Sequence, residues 1–179
     1  NAKVRNLVID NADVCNSPGS EGAKVGQART LGILAGSIKS GTSIENIIIK
    51  NSNIYFSEAI VQNGKWFGIG GLAGKILDNN DNYTLSNVYV DVNTDVSKAT
   101  IHKTDNIVIG TIIGEFQKDR KTWPTNVYSK GNIKGVSGLT KIGPIFGTNI
   151  PTSTTVNNTW YVEDSNTYKD KEGNNLTVQ

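Results

Sequence analysis

The chain has 179 residues and a mass of 19.3 kDa, with 18 Lys+Arg against 16 Asp+Glu and a formal net charge of +2. A charge that small gives no field to hold nucleic acid, and no apolar run approaches the roughly 20 residues of a membrane-crossing helix, so neither partner is expected. One Cys (Cys15) and one His (His102) exclude an internal disulfide and a zinc site of the usual Cys/His kind, and no cofactor or metal is expected.

Twenty Ile, 15 Val and 17 Thr stand against eight Ala and eight Leu. β-branched side chains fit a pleated surface and lose rotamer freedom in helices. The 22 Asn and 19 Gly supply turns, since both tolerate left-handed backbone. No stretch carries a 3.6-residue apolar period. The expectation is an all-β chain of many short strands. Because it opens at Asn1 and contains no Met, it reads as a mature form or an excised domain.

Taken in chain order, two patterns alternate. The first is x-Asn-apolar, expected to open a strand: Arg5-Asn6-Leu7, Glu45-Asn46-Ile47, Ser86-Asn87-Val88, Thr125-Asn126-Val127 and a weaker Asn157-Asn158-Thr159. The anchor Asn residues lie 40, 41, 39 and 32 positions apart. The second is a glycine box: Gly32–Gly36, Gly70–Gly74, Gly110–Gly114 and Gly143–Gly147. Four ordered copies at a near-constant period define an internal repeat.

A period near 40 also fits propeller blades or helical arrays. Composition excludes the helical arrays, and a blade needs four antiparallel strands per repeat. Two strand runs per repeat fit a parallel β-helix, or β-solenoid, of about 4–5 coils with loop insertions. Its repeats stack about 4.8 Å apart over a shared core.

Columns through such a stack follow from period-two alternation. One and three residues past each anchor, Leu7, Ile47, Val88 and Val127, and Ile9, Ile49, Val90 and Ser129, face inward. Two past it, Val8, Ile48, Tyr89, Tyr128 and Trp160 face outward, and this column is the candidate binding stripe. Four past it, Asp10, Lys50, Asp91 and Lys130 alternate in sign, as adjacent strands favour. Structural roles are expected for Asn6, Asn46, Asn87 and Asn126, and for Gly36, Gly74, Gly114 and Gly147. The asparagines either form an amide ladder along the axis or cap their own turns. The glycines admit close backbone approach at a corner.

Asn126-Val127-Tyr128-Ser129-Lys130-Gly131-Asn132-Ile133-Lys134-Gly135, followed by Ile142-Gly143-Pro144-Ile145-Phe146-Gly147, resembles the bacterial GLUG repeat. Gly68-Ile69-Gly70-Gly71-Leu72-Ala73-Gly74 resembles it too. The likeness runs over residues 4 to 163, with longer insertions around 15–28, 56–66 and 93–106. It implies a non-catalytic module of a secreted or cell-surface bacterial protein, acting as a rigid spacer and adhesion surface for a host protein or glycan. Such repeats also precede the catalytic domain of IgA-specific metallopeptidases, which leaves an accessory, substrate-positioning role open. Neighbouring domains of one polypeptide are the expected partners.

Residues 1–163 are read as the repeat domain and 164–179 as a polar linker or the start of a following domain. Catalysis has little support. Cys15 falls in a loop read over residues 11–20, the single His is 87 positions away, and no HExxH is present. A carbohydrate-cleaving β-helix needs clustered carboxylates, whereas Asp78, Asp81, Asp91, Asp95 and Asp105 are scattered. Asp78–Asn82 lacks the glycine and the closing acid of a calcium loop. Trp66, Phe67 and Trp123 are read as packing residues.

Overall fold

The computed structural model describes residues 2–16, 29–56, 60–61, 67–77, 82–101, 107–116, 124–135, 139, 141–143, 145–147, 160–163, 168–169 and 175–176, and at 16, 29, 60–61, 100–101 and from 160 onward the description is of backbone. Every named element among them is a strand. The first repeat holds β1 (Lys3–Asp10), β2 (Asp13–Asn16), β3 (Arg29–Leu31) and β4 (Ala35–Lys39). The second holds β5 (Thr42–Phe56), β6 (Ile60–Val61), β7 (Phe67–Gly70) and β8 (Ala73–Leu77). The third holds β9 (Tyr83–Asp95), β10 (Thr100–Ile101), β11 (Ile107–Gly110) and β12 (Ile113–Phe116). Then come β13 (Thr125–Lys130), β14 (Ile133–Lys134), β15 (Lys141–Gly143), β16 (Trp160–Glu163), β17 (Tyr168–Lys169) and β18 (Asn175–Leu176).

The chain is all-β with parallel sheets. The largest runs β1-β5-β9-β13-β16, with β2 on β5 and β14 on β9. A second runs β3-β7-β11-β15 and a third β4-β8-β12. Neighbours in each are therefore equivalent strands of successive repeats. Leu7 lies beside Ile47, Ile47 beside Val88, and Val88 beside Val127. Strands β6 and β10 pair in parallel within segments read as insertions. In the segment read as a linker, β17 and β18 pair antiparallel.

The inward columns make the core. Ile47, Ile49, Val90 and Ser129 are fully buried, and Val88 and Val127 nearly so. Leu7 and Ile9, on the edge strand, are half-buried. Ser129 is the polar member of its column, and its hydroxyl is satisfied inside the core by donating to Thr111 Oγ1. Between sheets, Phe56 meets Phe67 with ring centroids 5.4 Å apart, and beside β12, where Phe146 bridges Ile113, Phe116 meets Phe146 edge-on at 5.1 Å.

Asn6, Asn46 and Asn87 lie inside their strands rather than at their openings, whereas Asn126 is the second residue of β13. Asn6, Asn46, Asn87 and Asn126 have φ of 56°, 56°, 55° and 52°. One left-handed residue bends the strand and resets its alternation, so that Ile44 and Ile47, three apart, both face the core. Asn11 and Asn51 repeat the device at φ 57° and 52°. The third repeat has no such residue and runs Val90-Asp91-Val92, so the register between β5 and β9 shifts between Ile49 and Ser52. The charged column is broken there. Asp10 pairs with Lys50 and Asp91 with Lys130, but Lys50 and Asp91 are not register partners.

The glycine boxes are points of backbone contact. A Cβ on Gly74 would stand 2.5 Å from the Gly68 carbonyl oxygen and 2.6 Å from Leu31 N. Strands β7 and β8, and the preceding repeat, thus meet with no room for a side chain.

Candidate functional site

The outer face of the largest sheet carries the candidate stripe. Val8, Ile48, Tyr89 and Tyr128 are register partners in that order across β1, β5, β9 and β13. Val8 is 57% exposed and Ile48 41%. Tyr89 and Tyr128 are half-buried, and their rings stack with centroids 5.1 Å apart and planes inclined by 18°. Stacking between adjacent parallel strands holds two flat faces in one plane pair, a rigid apolar surface with phenol groups attached.

Trp160 does not belong to this column. Its backbone pairs with Val127, a member of the inward column, and it is Tyr161 that pairs with Tyr128. Val127 follows its anchor by one residue, whereas Trp160 follows Asn158 by two. In a strand a one-residue slip exchanges faces, so Tyr161 takes the expected place.

The asparagines beside the stripe form a ladder. Asn46 Nδ2 donates to Asn6 Oδ1 at 2.9 Å, Asn87 Nδ2 to Asn46 Oδ1 at 2.9 Å, and Asn126 Nδ2 to Asn87 Oδ1 at 3.0 Å. A second polar ladder, not anticipated from the repeat, crosses the farther half of the same sheet. Asn53 Nδ2 donates to Asp13 Oδ1 at 2.8 Å, Asn93 Nδ2 to Asn53 Oδ1 at 3.5 Å, and the Asn132 backbone N–H to Asn93 Oδ1 at 3.2 Å. Its spacings of 40, 40 and 39 match the repeat, and that signal was present in the sequence.

Most described carboxylates hold the stack together. Lys50 Nζ lies 3.0 Å from Asp10 Oδ2, and Asn51 Nδ2 donates to Asp10 Oδ1 at 2.9 Å. The Asn51 hydrogen bond, and then Lys50, hold the Asp10 carboxyl below its usual range. Glu45 accepts from Ser43 Oγ and pairs with Arg5 at 3.1 Å. The Ser43 bond is the first cause of its lowered pKa. Asp95 accepts from Ser97 Oγ at 2.5 Å and from Ser97 N at 2.9 Å, which lowers its pKa as well. Lys75 and Glu115, both largely shielded, pair at 2.9 Å.

Cys15 is on β2, not in a loop, and pairs with Tyr55. Phe67 packs in the core, as noted. His102, Asp78, Asp81, Asp105, Trp66, Trp123 and Asn158 lie outside the described residues. No group of three or more metal-ligating side chains occurs among the described residues, and no described helix is long and apolar enough to cross a membrane.

No family model, curated protein or solved structure matches the chain.

Proposed function

We propose that the chain is a parallel β-solenoid and serves as a non-catalytic module of a secreted or cell-surface bacterial protein, a rigid spacer with a binding surface on its outer face. The observation that carries the reading is the register of the largest sheet. Equivalent strands of successive repeats lie side by side and set Val8, Ile48, Tyr89 and Tyr128 in one outward line. Repeats that stack on their neighbours make a stiff, elongated body, and an outward apolar and aromatic line is the kind of surface that anchors a host protein or glycan. The GLUG resemblance adds the surface location and the association with further domains of one polypeptide. The non-catalytic reading is supported by Asp10, Glu45, Asp95 and Glu115, each held by a structural partner.

The test is adhesion of the fluorescently labelled chain to an epithelial cell layer, beside antibody labelling of intact producing bacteria. Wild type should adhere and the variant Tyr89→Ser/Tyr128→Ser should lose most of that adhesion while keeping its β-sheet circular dichroism. Labelling should precede cell lysis. Equal adhesion of wild type and variant, or labelling after lysis alone, would overturn the reading.

A further inference from the structure

A groove of about 470 Å³ opens on the farther half of the largest sheet, away from the stripe, lined by side chains of β2, β5, β9 and β14 with Asn132 beside them. We propose that this groove binds a neutral glycan, with Tyr55 against a sugar ring and Asn53, Asn93, Asp95 and Lys134 on its hydroxyls.

The floor is fixed by the core, since Ile54 is fully buried and Thr94 is 2% exposed. Above it run two outward columns one strand spacing apart per step. One is the Asp13–Asn53–Asn93–Asn132 ladder. The other is Cys15, Tyr55, Asp95 and Lys134, register partners in turn. The ladder holds its amides in place, so little ordering is left for binding to cost.

The chemistry of the lining selects the ligand class. An Asn side chain has two N–H donors and two acceptor lone pairs. The side-chain ladder bonds at Asn53 use one N–H and one lone pair, which leaves one of each. Donors and acceptors are therefore interleaved, as a hydroxyl that both donates and accepts requires. Asn132 contributes its backbone N–H, which donates to Asn93 Oδ1 and fixes that amide at the end of the ladder. Tyr55 is 39% exposed and offers the one apolar face to the C–H side of a sugar ring. Its phenol is neutral at neutral pH and able to donate.

Charge decides against the alternatives. Asp13 and Asp95 against Lys134 leave the lining net negative, which disfavours a sulfated or phosphorylated ligand. The two carboxylates belong to no cluster of three or more metal-ligating groups among the described residues. This site is independent of the outer stripe.

The test is saturation-transfer NMR and calorimetry on the whole chain, with cellohexaose, maltohexaose and chitohexaose as neutral probes and a heparin hexasaccharide as the anionic one. At least one neutral probe should bind, and Tyr55→Ala should weaken it tenfold or more. Tyr89→Ser/Tyr128→Ser should leave that affinity unchanged, which separates this site from the stripe. Tyr55 faces outward, so its loss should not affect melting. If it does, Lys134→Ala, which removes an exposed donor of the lining, should weaken binding while melting stays unchanged. Failure of all three neutral probes, preference for the heparin fragment, or unchanged affinity in folded Tyr55→Ala and Lys134→Ala would overturn the proposal.

Discussion

Asn87 Nδ2 donates to Asn46 Oδ1 at 2.9 Å across 41 positions of sequence, and both residues hold left-handed backbone, at φ 55° and 56°. One residue type thus answers two demands. Its short amide side chain tolerates φ above zero better than most, and the same amide bonds its equivalents in the repeats before and after.

The two demands separate by substitution. Asn87→Gly keeps the backbone freedom and removes two ladder bonds, to Asn46 and from Asn126. It should cost about 1 kcal/mol, given that a net hydrogen bond contributes about 0.5–1.5 kcal/mol and that these amides are exposed. Asn87→Ala adds left-handed strain of about 1–2 kcal/mol and should be the less stable. Urea melts of the two variants read the difference. Equal stability of Gly and Ala would show that the bend carries no strain.

Gly74→Ala should be severely destabilising, by about 3 kcal/mol or more, because its Cβ would stand 2.5 Å from Gly68 O, 2.6 Å from Leu31 N and 2.8 Å from Leu31 O, all backbone atoms. Gly36→Ala meets Thr30 O and Thr30 Oγ1 at 3.0 Å, contacts that a small shift relieves, and should cost less. Thermal melts that rank the two the other way would refute the close-approach reading of the box.

Lys75 and Glu115 pair at 2.9 Å with side chains 18% and 13% exposed. Removing one partner leaves a shielded, uncompensated charge, so Glu115→Ala should cost about 2–4 kcal/mol. The double variant Lys75→Met/Glu115→Leu should recover most of that. A double variant no better than the single would mean that the pair contributes through packing rather than charge.

Acid should loosen the stack. Asp10, Glu45 and Asp95 all have lowered folded-state pKa values. A depressed carboxyl contributes stability that is complete above its unfolded value and is lost as pH falls through the folded one. With reference values of 3.8 for Asp and 4.5 for Glu, Tm should be flat above about pH 5 and fall steadily below about pH 4. Asp10→Asn/Glu45→Gln should shallow that fall. An unchanged slope would remove these two from the acid response.

Much of the architecture was legible. The inward places of Ile47, Val88 and Val127 follow from apolar alternation counted from each Asn, because a strand's faces are set by parity alone. Parity also explains the errors. Asn158 stands one residue too far from Trp160, so the expected column took the wrong neighbour, and Tyr161 occupies its place beside Tyr128. The extra left-handed residue Asn51 has no equivalent before Val92, so the continuous charge column breaks between Lys50 and Asp91. The ladder through Asn53 and Asn93 went unseen because the columns were followed only as far as four residues past each anchor, and these two stand seven and six past theirs.

The all-β class and the faces of the repeated strands can be read from residues within a few positions of one another, and the period from short patterns that recur 39 to 41 positions apart over the first four anchors. The tertiary structure alone decided what meets across the body: Phe56 on Phe67, Lys75 on Glu115, Ser129 on Thr111, Gly74 on Gly68, and Tyr55 beside Asp95 above a buried floor. Those contacts depend on how many residues each bend inserts and on how closely two backbones approach. Side-chain alternation along a single strand carries neither quantity.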